Sequence, residues 1–178
     1  TPSSMNKMQV KIAAGLERAF AAQGFTEPSV EDLRDAAGVS LRTLYKYTPS
    51  KDEMIRSALE HRHQRYLTHV FGDAPNDAPQ DLSKTLERIA DWMRREASHG
   101  CLFHAAVASA PKDHELRQLL ARHKSEVSQR AVARSATSVS PSDLMVIFEG
   151  MTQAWPLSGE DALHSAKRLV ALLEKAPI

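Results

Sequence analysis

The run AAGVSLRTLYKYTPSKDE, residues 36–53, gathers side chains of one chemical character. From Ala36 to Lys51 it carries Arg42, Lys46 and Lys51, the rings of Tyr45 and Tyr47, and the hydroxyls of Ser40 and Thr43, without one acidic residue. Cations, hydroxyls, flat rings and short apolar contacts suit a major groove. The chain as a whole has 23 Lys+Arg against 22 Asp+Glu, so any contact with nucleic acid must come from a local patch. A second cluster, His99-Gly100-Cys101-Leu102-Phe103-His104, could supply metal ligands, and His61 and His63 add two more nitrogens. However, helical residues two apart point to different sides. Gly100 interrupts the backbone beside Cys101, and there is no C-x-x-C pair. No metal and no other cofactor is expected. Cys101 as a redox sensor would need a lowered thiol pKa. Seven glycines form no phosphate-binding loop, and no G-x-S-x-G or paired catalytic carboxylate stands out, so no enzyme is expected.

The elements that must hold these residues are helical. Val10, Ile12, Ala13, Leu16, Ala19 and Phe20 recur at spacings of three and four over residues 7–23, and Gly24 stops the run. Ser29-x-x-Asp32 starts a short helix that ends near Ala37, with Gly38 behind it. Ser40 caps a third helix through Tyr47, which Thr48-Pro49 terminates. Ser50-x-x-Glu53 is a capping box that opens a longer helix to about Phe71. Residues 72–81, GDAPNDAPQD, read as a break. Further helices are predicted at about 82–98, 102–109, 112–135, 141–154 and 160–174. No strand pattern or repeat is visible. The prediction is an all-α protein of about nine helices. Residues 6–50 would form a three-helix, helix-turn-helix DNA-binding domain, and residues 51–178 a helical ligand-sensing and dimerisation domain.

Two short helices joined at a glycine-containing turn make a helix-turn-helix. The register goes further. Gly24-Phe25, Ser29, Ala37-Gly38-Val39-Ser40, Thr43-Leu44-Tyr45, Tyr47 and Ser50-Lys51 resemble the N-terminal domain of the tetracycline-repressor (TetR) family of bacterial regulators over about residues 8–60. Beyond it only the helix order and a GCLF element at residues 100–103 correspond. Two positions depart from the pattern: Arg34 stands where the family often has Ala, and Thr48 where it often has an aromatic ring. The resemblance implies double-stranded operator DNA as a partner. Arg42 would fork onto a guanine edge, and Leu41, Thr43 and Tyr45 would meet base edges or thymine methyls. Ser29, Lys46, Tyr47, Lys51 and again Thr43 are better placed for phosphates, while Ser40 caps the reading helix.

One such motif makes few base contacts, and two on a palindrome close the gap to specific affinity. The resemblance implies a homodimer through the last two helices. Ile147, Met151 and Ala154 line one face with Leu144 and Phe148, and Gly150 permits close approach. Leu163, Ala166, Leu169, Val170 and Leu173 line the other. The same stripes could equally pack internally. The middle helices, about 51–135, would sense an unidentified small-molecule effector. Trp92, Met93, Phe103, Val107 and Leu119, together with Phe148 and Trp155, are candidate pocket walls; His104 and His123, with Gln153, are candidate polar groups. Ordinary core is the competing reading for each. The helix opening at Lys51 would carry the ligand signal to the reading head. The whole would be a ligand-responsive repressor, released from its operator by the effector. The alternative is a helical interaction module, or an enzyme, that keeps a helix-turn-helix for packing. The N-terminus TPSSMNKMQVK lacks the apolar core of a signal peptide, and TPSSM reads as a tail. The longest apolar run, residues 144–148, is far short of a membrane span, and a single Cys fits a reducing cytosol. A cytoplasmic protein without a membrane partner is expected.

Overall fold

The computed structural model describes residues 6–72 and 78–176. The TPSSM segment and residues 73–77 of the expected break lie outside them. The described residues form nine α-helices and no strand: α1 (Lys7–Gln23), α2 (Val30–Ala37), α3 (Leu41–Tyr47), α4 (Lys51–Phe71), α5 (Leu82–Glu96), α6 (Leu102–Ser109), α7 (His114–Arg134), α8 (Pro141–Ser158) and α9 (Glu160–Lys175). They group into two compact units. One holds residues up to Arg65 with Leu102–Leu120, and the other Tyr66–Cys101 with residues from Ala121 on. Helices α4 and α7 contribute to both.

In the first unit, α1 buries Ile12, Ala13, Leu16 and Phe20. Val10, placed in that stripe by its apolar character, is instead exposed: it lies two residues from Ile12, on nearly the opposite side of the helix. The helix α2 buries Leu33 and Ala37, and α3 buries Leu44. A Cβ on Gly15 would sit 2.3 Å from the Ala36 carbonyl oxygen, so α1 and α2 meet at a distance only glycine allows. Thr48 is buried, and its hydroxyl donates to the Leu44 carbonyl at 2.8 Å. The nearby aromatic content comes from Phe20 and Phe25, which stack with centroids 5.1 Å apart.

In the second unit, Leu82, Leu86, Ile89 and Met93 of α5 pack in one core with Leu144, Phe148 and Met151 of α8 and Leu163, Ala166 and Val170 of α9. Arg134 closes the end of α4 by donating to the Phe71 carbonyl at 2.6 Å. The forked pair of Arg94 with Glu160 (2.6 and 2.8 Å) ties α5 to α9. Helix α8 runs beyond the expected stop at Ala154, through Pro156 to Ser158. A proline in the last turn removes one N–H, and the turn is still closed by Gly159 N–H donating to the Trp155 carbonyl at 2.9 Å.

Candidate nucleic-acid interface

Local hydrogen bonds set each piece of the 29–53 segment. Ser29 accepts from the Asp32 N–H (3.1 Å), and Asp32 accepts from both the N–H and the hydroxyl of Ser29 (2.8 Å each), a complete capping box. Those bonds from Ser29, its side chain first, hold the Asp32 carboxyl below the usual carboxylate range. Gly38 takes the left-handed conformation (φ 64°, ψ 42°), and its N–H closes α2 on the Arg34 and Asp35 carbonyls. Lys11 donates to the Gly38 carbonyl at 2.8 Å, fastening the turn to α1. Ser40 caps α3 by accepting from the Thr43 N–H at 3.1 Å, and the two hydroxyls share a bond at 2.9 Å. At the start of α4, Ser50 accepts from the Glu53 N–H, but the Glu53 carboxylate turns to Arg56 (2.7 Å) rather than back to Ser50.

This scaffold divides α3 into two faces. Leu44 is fully buried. Arg42, Tyr45 and Lys46 are exposed, and Leu41, Thr43 and Tyr47 are half-buried. Lys46 lies 5.5 Å over the Tyr47 ring. Ser29 and Ser40 are exposed at the starts of α2 and α3. Lys51 is half-buried and donates to the Pro28 carbonyl at 3.0 Å, so it ties the start of α4 to the residue before the α2 cap. Arg34 points to Asp35 at 2.9 Å.

A feature that no local motif announces supports this unit. Glu17, on the face of α1 turned inward, is buried. It accepts from His61 (3.0 Å), from Arg62 (3.4 Å) and from Arg65, all on α4. Burial works to raise its pKa, but the His61 bond and the Arg65 and Arg62 charges outweigh it and hold Glu17 below its ordinary value. His61 is thus engaged with a carboxylate. His63 is buried, and no group of three metal-ligating side chains comes together among the described residues.

The second unit contains a small recess, with room for about one water molecule, lined by Tyr66, His123, Lys124, Val127, Met145, Phe148, Glu149 and Thr152. Of the candidate pocket residues, His123 and Phe148 line it. Trp92 stands behind it, edge-on to Tyr66 at 5.2 Å. Met93 and Trp155 belong to the surrounding core. Phe103, His104, Val107 and Leu119 fall in the first unit, with Phe103 and Leu119 buried and the other two half-buried. Tyr66, Lys124 and Glu149 were not singled out from the sequence, because they come from three separate helices, α4, α7 and α8, that no local motif brings together.

The proposed dimer residues divide as well. Ile147, Met151, Leu163, Ala166 and Val170 are buried within the chain's own core, Ala154 and Leu173 are half-buried, and Gly150 and Leu169 are exposed. The apolar side chains that α8 and α9 leave outside are Val146 (72% exposed), Leu157 (90%), Leu169 and Leu172 (64%).

Residues 12–58 match the model of bacterial regulatory proteins of the tetR family. Over 133 residues the chain is 26% identical to the HTH-type transcriptional regulator EthR of Mycolicibacterium smegmatis, covering 74% of this chain and 59% of that protein's length. Salmonella enterica GusR has a similar fold (TM-score 0.70, 18% identity, 98% and 99% of the two chains). So does the multidrug binding protein EbrR, solved in complex with imidazole (TM-score 0.66, 19% identity, 94% and 95%). Residues 12–58 are thus similar to the helix-turn-helix domain of tetR-family bacterial regulatory proteins, and the described residues share the all-α fold of these solved regulators.

Proposed function

We propose that the protein is a cytoplasmic, dimeric repressor that binds palindromic operator DNA through α3 and is released by a small molecule. The observation that carries this reading is the outer face of α3: Arg42, Tyr45 and Lys46 exposed on a helix whose other side is locked by Leu44, with no acidic residue between Ala36 and Lys51. Arg42 supplies the base-reading fork. Tyr47 and Lys51 flank it, and the hydroxyls of Ser29 and Thr43 stand at helix starts where N–H groups favour phosphate.

Dimerisation is supported by the exposed apolar residues on α8 and α9. Val146, Gly150 and Leu157 follow one another at spacings of four and seven, which places them on one face of α8. A Cβ on Gly150 would meet nothing within 4 Å, leaving room for another backbone to approach. Leu169 and Leu172 are exposed on α9 as well. Ligand response is supported by the recess and by the continuity of α4. That helix begins at Lys51, just after the reading motif, and supplies Tyr66 to the recess wall. Coupling of about 1–3 kcal/mol, or 5- to 150-fold in operator affinity, would make a useful switch.

A gel-shift titration against DNA upstream of the protein's own gene tests the reading. Saturable, salt-sensitive binding that Arg42→Ala and Tyr47→Ala abolish is the expected result. Binding that survives both substitutions would show that α3 does not read the DNA.

A further inference from the structure

Helix α3 is short and lightly anchored. It has seven residues and buries one side chain within its own length, Leu44. A single anchor fixes where a helix sits but leaves it free to pivot. The angle of α3 is therefore set at its ends, and the end nearer α2 is the turn at Gly38.

That turn is gripped from α1. Lys11, Gly15 and Arg18 follow one another at spacings of four and three, so they share one face of that helix. Gly15 lets the Ala36 carbonyl come closer than a side chain would allow, and Arg18 donates to the same carbonyl at 3.5 Å. Lys11 reaches past the end of α2 and donates to the Gly38 carbonyl at 2.8 Å. Its tip also lies against the glycine: a Cβ built on Gly38 would stand 3.5 Å from Lys11 Cε. Cations are favoured at a helix C-terminus, so both side chains suit the end of α2. The other flank of α2 is pinned in the same manner, by Lys51 of α4 on the Pro28 carbonyl at 3.0 Å. With α2 held on both sides, what remains to be set is the path from Gly38 to Ser40, the cap of α3. Lys11 is exposed and adds nothing to the core, so the turn is what it fixes.

We propose that Lys11 is a positioning residue for DNA reading: its ammonium holds the Gly38 turn so that α3 meets base edges at one angle. The proposal rests on the reading of DNA by α3 and adds a residue of α1 to it. Contacts that read bases need placement to within about 0.5 Å and 10–20°. Attraction to phosphates is sequence-independent and tolerates a looser helix. Loss of the Lys11 bond should therefore be felt on the preferred operator and not on arbitrary DNA.

Two measurements on the full-length chain test this. Lys11→Met keeps most of the methylene stem against Gly38 and removes the ammonium. Without DNA, amide hydrogen exchange from Gly38 to Leu41 is expected to quicken in this variant while thermal melts stay matched. With DNA, binding to an operator selected by the unaltered protein should weaken at least about 3-fold, one lost hydrogen bond for each reading head. Binding to a random-sequence duplex and the salt dependence should stay as they were, and Lys11→Arg, which still reaches a carbonyl, should restore the operator affinity. Unchanged exchange at the turn, or unchanged operator affinity, would overturn the proposal. Equal losses on operator and random DNA, with the salt slope lower by about 0.9, would make Lys11 a phosphate contact and overturn it too. An unaltered protein that selects no operator removes the DNA reading itself, and the exchange measurement then still decides whether Lys11 holds the turn.

Discussion

Arg42 is the residue on which sequence preference should turn. It is exposed on α3 and flanked by side chains suited to phosphate. Arg42→Ala is expected to cost about 1–3 kcal/mol against the preferred operator and to relax discrimination at one base pair. Lys46→Ala should weaken all sequences alike and lower the salt dependence by about one phosphate contact. Competition binding to operators mutated one base pair at a time distinguishes the two effects. Gly15 offers a test of the scaffold. Gly15→Ala would drive a methyl into the Ala36 carbonyl. Overpacking of this kind costs typically about 1–3 kcal/mol, measurable by urea unfolding. The caps at Ser29 and Ser40, the turn at Gly38 and the stop at Thr48 were legible in sequence because each acts through neighbours within four residues. Gly15 was not, because its partner lies 21 positions away on another helix.

Among the elements, α1 and α4 are joined through charge. Glu17 is buried among His61, Arg62 and Arg65. A carboxylate whose folded pKa is lowered stabilises the fold fully above its unfolded value, here 4.5, and that contribution fades as pH falls through the lower folded value. Unfolding measured across this acid range should therefore show a loss of stability that Glu17→Gln lacks. At neutral pH the same substitution should destabilise by about 3 kcal/mol, because it removes the buried negative charge that Arg62 and Arg65 face. If the two proteins show parallel pH profiles, the cluster does not hold α1 to α4. The role of Glu17 was not legible in the sequence, since its three partners lie 44 to 48 residues away.

For the whole molecule, the stripes on α8 and α9 show where sequence reading reaches its limit. Both helices are apolar on more than one side. Leu163, Ala166 and Val170 turn inward, whereas Leu169 and Leu172 turn out. Periodicity marks a helix and its apolar residues but does not say which partner covers which stripe. The exposed set makes the dimer testable. Val146→Asp and Leu172→Glu, both at surface positions, should yield folded monomers by sedimentation and lower operator affinity sharply, because each head would bind alone. A monomeric unaltered protein would contradict this arrangement. No helix among the described residues is long and apolar enough to cross a membrane.

Selection of bound sequences from a random DNA pool bears most directly on the proposal that α3 reads DNA for a dimer. The unaltered protein should enrich a palindrome with half-site centres about one helical turn, or a multiple of it, apart. It should bind that site at about 10⁻⁸–10⁻¹¹ M, with Arg42→Ala losing the preference at one symmetric pair of positions. A pool that stays random, or one whose consensus is unchanged by Arg42→Ala, would contradict it.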